Sequence, residues 1–413
     1  MERYIALKIL LGVFENGKYS NLEINKSLSD LKNEEEKALI TALVYGVIQN
    51  RIRIDHIIKT YTGRKKLDTD ILNILRIGVY QVVFTDKIPD YAIVNESLKL
   101  VQKCRKNSAK GFVNAVLRSI IREDKKVEYD KDDFLSIYYS CPKELCRMLI
   151  HDFGESGENM IKHINDKPPF TARINTLKIS ETEFEKISGE HTENGVVYFA
   201  KGRNVGKDEL YLKGYYYPQD INSMLPPIWL NPKPGDTVID MCAAPGGKTT
   251  HIAQLMRNSG TIYAFDIYEH KIKLIEKTSE RLGVNIVKPI VADACEYNPE
   301  FAGKADKVLA DVPCSGFGIM RRKPEIKYTH TIEDSKALSE IQYKILENSA
   351  KYLKHGGTLI YSTCTVSKAE NEDNIKRFLN EHKEFRLERQ KQLFIGENGG
   401  DGFYIAEMTK NEE

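Results

Sequence analysis

Apolar residues recur at spacings of three and four through the first third of the chain. Tyr4, Ile5, Leu7, Ile9, Leu10 and Val13 form one stripe, and Leu39, Ile40, Leu43, Val44, Val47 and Ile48 a second. Ile54, Ile57 and Ile58, then Ile71, Leu72, Ile74, Leu75 and Val79, then Ile93, Val94, Leu98 and Val101 continue the series. Each stripe is the apolar face of an amphipathic helix, so residues 1–128 are expected to form an all-α bundle. Asp86, Pro89 and Asp90 interrupt the period, and Asn95 is read as a turn or cap. From 129 to 225 the rhythm is mixed. A helix at Glu144–Ile150 and strand-like runs at Phe170–Leu177, Val196–Ala200 and Glu209–Tyr217 predict a small α+β module, with Tyr215, Tyr216 and Tyr217 expected in its core rather than stacking on bases.

From 226 to 413 short apolar runs alternate with helical patterns, the signature of an α/β domain with a largely parallel sheet. Its predicted strands are Thr237–Ile239, Thr261–Asp266, Asn285–Val291, Lys307–Val312 and Thr358–Tyr361. Two last runs, Gln392–Ile395 and Gly402–Met408, flank Asn398-Gly399-Gly400 and predict an antiparallel hairpin at the sheet edge.

Composition narrows the class without naming it. The 413 residues are 41% hydrophobic and 29% charged, enough apolar material for two or three soluble domains. No apolar run approaches the roughly 20 residues of a membrane span. The start, MERYIALKILLGVFENG, flows from early charge into a periodic helix and is not read as a signal peptide. Seven scattered cysteines with no paired CxxC spacing predict free thiols in a reducing, cytoplasmic compartment and no metal site. A net charge of +2 means that affinity for nucleic acid must come from local patches. One such patch is Lys99, Lys103, Lys106 and Lys110, at helical spacing and with Arg105, Arg118 and Arg122 nearby. It is either an RNA-binding face or a solvated lysine face.

The stretch DMCAAPGGKTT, Asp240 to Thr250, joins a predicted strand to a predicted helix through Pro245, Gly246 and Gly247. That is the turn by which an α/β sheet cradles a nucleotide-like ligand, with the first helical amides facing it. It falls short of a phosphate-binding P-loop, because Cys242 stands where that motif needs its first glycine. Asp266, roughly 20 residues beyond the glycines, is placed to hold ribose hydroxyls. Asp293 ends the third strand within reach of an adenine-type ring edge, and Asp311 ends the fourth. Two thiols complete the set, Cys314 just after Asp311 and Cys364 after the fifth strand, whereas Cys242 and Cys295 are read as small packing residues. A thiolate is a strong nucleophile but needs a cationic or helix-N-terminal setting to ionise, which Lys248 and a helix starting near Lys368 can supply. A redox pair is the competing reading, weakened by the separation of the two cysteines on different strands.

DMCAAPGGKTT, ADVPCSGFG (Ala310 to Gly318) and YSTCTVSKAENE (Tyr361 to Glu372) resemble the motifs of RNA cytosine-5 methyltransferases of the Nol1/Nop2/Sun family across the whole catalytic half. VNESLKLVQKCRKNSAKGFVNAVL (Val94 to Leu117) and RRKPEIKY (Arg321 to Tyr328) are similar to the bacterial subgroup acting on 16S rRNA, which carries a NusB-like front domain. The resemblance implies three parts: a NusB-like RNA-binding bundle (1–128), an RNA-binding or connecting module (129–225) and a Rossmann-like methyltransferase domain (226–413). It implies S-adenosyl-L-methionine as cofactor, held by Cys242, Ala243, Ala244, Pro245, Gly246, Gly247, Lys248, Asp266, Asp293 and Asp311. Cys364 would be the nucleophile, Cys314 would release the product, and Asp311 and Lys248 would assist at the base. Attack by Cys364 on carbon 6 would make carbon 5 of cytosine able to accept a methyl group, dividing one hard step into easier ones. Arg321, Arg322 and Lys323 would hold RNA phosphates beside the lysine face. The expected protein is a monomeric, cytoplasmic 16S rRNA methyltransferase acting on naked RNA or an early assembly intermediate. A methyltransferase of tRNA or another RNA, a DNA cytosine methyltransferase using the Pro-Cys thiol, and a noncatalytic RNA-binding assembly factor are the alternatives.

Overall fold

The computed structural model describes all residues except 64–65, 87, 124–128, 201–202 and 413. The chain forms two compact units, Met1–Asp166 with Met320–Thr329, and Lys167–Ile319 with His330–Glu413. The expected boundary at 128 lies outside the described residues. The middle segment is not a module of its own, since residues 129–166 belong to the first unit and 167–225 to the second.

The first unit is helical. Its longer helices are Glu2–Asn16, Glu34–Gln49, Arg51–Thr62, Thr69–Phe84, Asp90–Lys103, Lys110–Arg122 and Lys143–Phe153. The stripes read from the sequence form its core, with Leu7, Leu10, Ile40, Val44, Ile74 and Leu75 fully buried. Pro89 caps the Asp90–Lys103 helix, but Asn95 lies inside that helix rather than at its end. The ten residues Met320–Thr329 return to this unit from the far half of the chain. Lys327 is buried, and its ammonium donates to the carbonyls of Gln49 (2.8 Å) and Ser140 (2.9 Å) and to Asn165 Oδ1 (3.0 Å). Glu325 accepts from the Ser20 amide and hydroxyl, and the Tyr328 hydroxyl donates to the Ile48 carbonyl. RRKPEIKY therefore includes an anchor. Burial pushes the Lys327 ammonium down to about 7, against the electrostatic pull of Cys141 and Cys146.

The second unit is built on a seven-stranded sheet. Its strands are β1 (Thr237–Asp240), β2 (Thr261–Asp266), β3 (Val287–Val291), β4 (Ala305–Asp311), β5 (Leu353–Thr363), β6 (Phe385–Leu393) and β7 (Phe403–Lys410). Their order across the sheet is β6-β7-β5-β4-β1-β2-β3. The pairs β5/β4, β4/β1, β1/β2 and β2/β3 are parallel, while β7 runs antiparallel to both β5 and β6. The expected edge hairpin is thus seated with its second strand inside the sheet. The order reverses at β1, and the crevice at the carboxyl ends of β1 and β4 is where open α/β sheets bind ligands.

A small antiparallel sheet, whose outer strands are His191–Glu193 and Tyr216–Pro218, packs in the same unit. Its strand Thr171–Ile174 carries Arg173, which is buried and donates to Gln254, Gln219, the Gly247 carbonyl and Thr250. Such a cation, with four uncharged acceptors, ties this sheet to the Gly247–Leu255 helix. Glu209–Leu212, expected as strand, is a short helix capped by Asp208. Tyr216 is fully buried, as expected, and Tyr217 packs on Gly247, where an added Cβ would fall 2.8 Å from its ring.

Lys327→Met would keep the bulk of the anchor but leave the buried Ser140 carbonyl and the half-buried Gln49 and Asn165 oxygens without its ammonium. The helical unit should lose about 2–4 kcal/mol, measured as an earlier urea transition in the helical circular dichroism signal.

Candidate functional site

Asp240 ends β1, and the chain then turns through Met241–Gly246 into the Gly247–Leu255 helix. The turn is pinned on both sides, with the Met241 amide donating to the Leu309 carbonyl and the Ala243 amide to that of Phe265. Gly246 closes it at φ 97°, a conformation a side chain would strain. Asp240 is buried and accepts from the Thr249 hydroxyl at 2.7 Å through Oδ2, while its Oδ1 has no partner. Burial raises its pKa to about 7, with the Thr249 hydrogen bond acting in the opposite direction and nearby Asp311 adding to the rise.

Beside this turn lies a cavity of about 490 Å³. Cys242, Ala244, Asp266, Asp293, Asp311 and Pro313 line it, so three sequence-predicted carboxylates and the turn share one space. Asp266 is nearly buried and accepts from the Tyr268 amide at 3.2 Å, with the Lys271 ammonium 3.6 Å away. Asp293 is exposed and accepts from the Cys295 amide at 2.8 Å. Ile267, Tyr268 and Ile341 form an exposed apolar rim. A nucleoside-sized space with apolar walls and a few fixed carboxylates suits a nucleoside ligand.

Next to the cavity β4 and β5 run in parallel register, Asp311 opposite Ser362. This pairing brings the Pro-Cys and Thr-Cys turns together, with Cys314 Sγ and Cys364 Sγ 3.2 Å apart. Separation along the chain is therefore no obstacle to direct contact between these thiols, contrary to the expectation. Lys248 Nζ donates to Asp311 Oδ2 at 2.7 Å, and Ser362 donates to Asp311 Oδ1 at 2.8 Å. The Lys248 ammonium is buried, which disfavours its charge, but Asp311, Cys364 and Asp240 reverse this and hold its pKa above the usual value. The Cys314 thiol is held well above its ordinary pKa by its hydrogen bond with Cys364 and by burial. Burial and the surrounding carboxylates do the same to Cys242, which suits a packing thiol. The helix expected near Lys368 starts at Glu372, so its N-terminus lies further along the chain from Cys364 than expected.

The basic candidates are elsewhere. Lys99 and Lys103 lie on one helix, Lys106 in the following turn and Lys110 at the start of the next helix, so they do not form one continuous helical face. Lys99 pairs with Glu96 and Lys106 with Asp68, while Lys103 lies over the Tyr4 ring. Arg321, Arg322 and Lys323 belong to the helical unit, and Arg321 is only 5% exposed. A buried guanidinium is not a surface phosphate contact, so the expectation for Arg321 is corrected.

Two features escaped the sequence reading. Gly318 donates to the Cys364 carbonyl at 3.0 Å, and a Cβ there would lie 2.0 Å from the Gly402 carbonyl oxygen. Glu370 is fully buried and accepts from Ser315, Ser335 and Gln342. The only signal for either was a glycine and an acid inside motifs already noted.

The sheet order, the pinned turn and the carboxylate-lined cavity are those of a Rossmann-like fold with a nucleoside-binding crevice, and the family models and relatives make it an S-adenosyl-L-methionine-dependent methyltransferase. A model of the family described as 16S rRNA methyltransferase RsmB/F matches residues 227–409, and one of the NusB family matches residues 1–122. The "probable ribosomal RNA small subunit methyltransferase B" of Bacillus subtilis is 35% identical, covering 99% of this chain and 98% of the relative. That of Synechocystis is 32% identical over 99% of both. Among solved structures, PH0851 has a TM-score of 0.84 at 29% identity, over 99% of this chain and 98% of that one. NSun6 from Pyrococcus horikoshii, solved with SFG, has a TM-score of 0.60 at 26% identity, over 66% of this chain and 99% of that one. The chain belongs to the ribosomal RNA small subunit methyltransferase B family.

The buried Asp240 should make the second unit's stability fall as pH rises. Its folded pKa, about 7, lies above the ordinary aspartate value of 3.8, so between these pH values the folded state keeps a proton that the unfolded chain has lost. The contribution is full below pH 3.8 and is lost by about pH 7, at about 1.4 kcal/mol per pH unit. Trp229, the chain's one tryptophan, lies in this unit. Urea unfolding followed by its fluorescence should show this slope in the cofactor-free wild type, and Asp240→Asn should flatten it.

Proposed function

We propose that this protein methylates carbon 5 of a cytosine in 16S rRNA through a covalent adduct with Cys364. The observation that carries this is the 3.2 Å approach of two thiols beside the Lys248–Asp311 ion pair, at the edge of the cofactor cavity. A lone thiol would serve many reactions, but two thiols and a cation suit a reaction that forms and then breaks a carbon–sulfur bond. The names of the full-length relatives support ribosomal RNA of the small subunit as substrate.

The cofactor supplies an electrophilic methyl group. Asp266 would bind its ribose hydroxyls and Asp293 its adenine edge, while residues Cys242–Lys248 would hold its methionine side. Lys248 stabilises the Cys364 thiolate. That thiolate adds to carbon 6, and the displaced π electrons make carbon 5 nucleophilic. After methyl transfer the carbon 5 proton leaves to a base at Cys314. The electron pair of that C–H bond restores the double bond, and the carbon 6–sulfur bond breaks with its pair returning to Cys364. Asp311, held by Lys248 and Ser362, is the group we assign to the cytosine edge. The target base must be unstacked to enter, which favours looped or unfolded RNA. Lys99, Lys103, Lys106 and Lys110 add a basic surface, with Arg322 and Lys323 as further phosphate contacts.

Cys364→Ala should abolish incorporation of labelled methyl groups into rRNA from cells lacking the enzyme. Cys314→Ser should instead leave a protein–RNA adduct that survives denaturing electrophoresis. Normal turnover by Cys364→Ala would sink the mechanism, and failure of Cys314→Ser to trap RNA would exclude its role in release. Asp266→Ala should weaken S-adenosyl-L-methionine binding by about 10- to 100-fold, read by calorimetry on folded protein.

A further inference from the structure

The Pro-Cys turn has no regular secondary structure of its own to hold it. Cys364 directly follows β5, whereas Cys314 lies on a loop beyond the end of β4. What grips that loop is Glu370, a side chain with no exposed surface. Its Oε2 accepts from the Ser315 amide at 2.9 Å and from Gln342 Nε2 at 2.8 Å. Its Oε1 accepts from the hydroxyls of Ser315 and Ser335, both at 2.6 Å. Gln342 also donates to the Pro313 carbonyl at 2.9 Å. Both chain neighbours of Cys314 are therefore tied to one carboxylate, Ser315 directly and Pro313 through Gln342. The Ser315 hydroxyl also meets Thr365 Oγ1 at 2.7 Å, which joins the clamp to the residue after Cys364.

We infer that Glu370 is a positioning residue that sets where the Cys314 thiol sits against Cys364, and so controls release of the methylated base. The inference rests on the covalent mechanism proposed above. Cys364 has its own supports, the strand before it and the Gly318 amide on its carbonyl. Loss of the clamp should therefore disturb Cys314 much more than Cys364. Glu370→Gln keeps the shape but removes the charge and one acceptor, so an amide nitrogen either faces the Ser315 amide and Gln342 or forces the Ser315 and Ser335 hydroxyls to turn round and accept. Displacement of a reacting group by about 1 Å can cost on the order of 100-fold.

The test compares wild type, Cys314→Ser and Glu370→Gln with S-adenosyl-L-methionine and unmodified rRNA. Glu370→Gln should transfer methyl in a single turnover within about threefold of wild type, lose about 10- to 100-fold in steady-state turnover, and accumulate adduct as Cys314→Ser does. A role confined to folding would lower single-turnover transfer without adding adduct. That outcome would overturn the inference, as would wild-type turnover with no adduct. If Glu370→Gln does not fold, Ser315→Ala, which removes one donor of the clamp, should show the same accumulation in weaker form, and its absence would be equally decisive. Adduct with Cys314→Ser but not with the clamp variants would refute the role of Glu370 alone. No adduct with Cys314→Ser would refute the underlying mechanism, and this inference with it.

Discussion

The parallel register of β4 against β5 is the constraint on which the site depends. Asp311 and Ser362 face each other across that pair, so the residues just beyond them must meet. Cys314 and Cys364 are 50 residues apart in the chain, yet their sulfurs touch. A slip of one position would send every side chain of β5 to the opposite face of the sheet and part Asp311 from Ser362. The buried Leu359, Ile360 and Tyr361 of β5 make such a slip costly.

Around that seam the structure spends buried polar groups freely. Asp240 keeps an oxygen without a partner beside the cofactor turn, Lys248 is charged against Asp311 inside the protein, and Glu370 takes donors from separate segments. Each is costly to bury unless satisfied, and each satisfied one fixes a loop in a single arrangement. Glycines serve the same end where side chains do not fit, as Gly318 does between Gly402 and the Cys364 carbonyl. The helical unit uses the device once more, closing Lys327 and Glu325 inside its own interior.

Much of the fold was legible in the chain. Helical stripes in the first 122 residues and the alternation beyond 226 come from the periods of helix and strand, which are local properties. The acids at strand ends were legible too, because a parallel sheet puts every strand's carboxyl end on one edge. Domain limits were read less well. The mixed helix-and-strand rhythm of 129–225 suggested one module, but buried partners divide it, Arg173 tying 167–225 to the Gly247–Leu255 helix. The lysine spacing across 99–110 suggested one helix face, and the turn at 104–109 breaks it.

By itself, then, the sequence determined most element types, the crevice edge, the strand-to-helix turn beside the cavity and the family, since these rest on short-range patterns and motifs. Only the tertiary structure decided that the two thiols are in contact, that Arg321 is buried while neighbouring Lys327 serves as an anchor, and that Glu370 grips the Pro-Cys turn. Those facts depend on which strands become neighbours and which segment returns to which core. Such pairings join residues tens to hundreds of positions apart, and no local period encodes them.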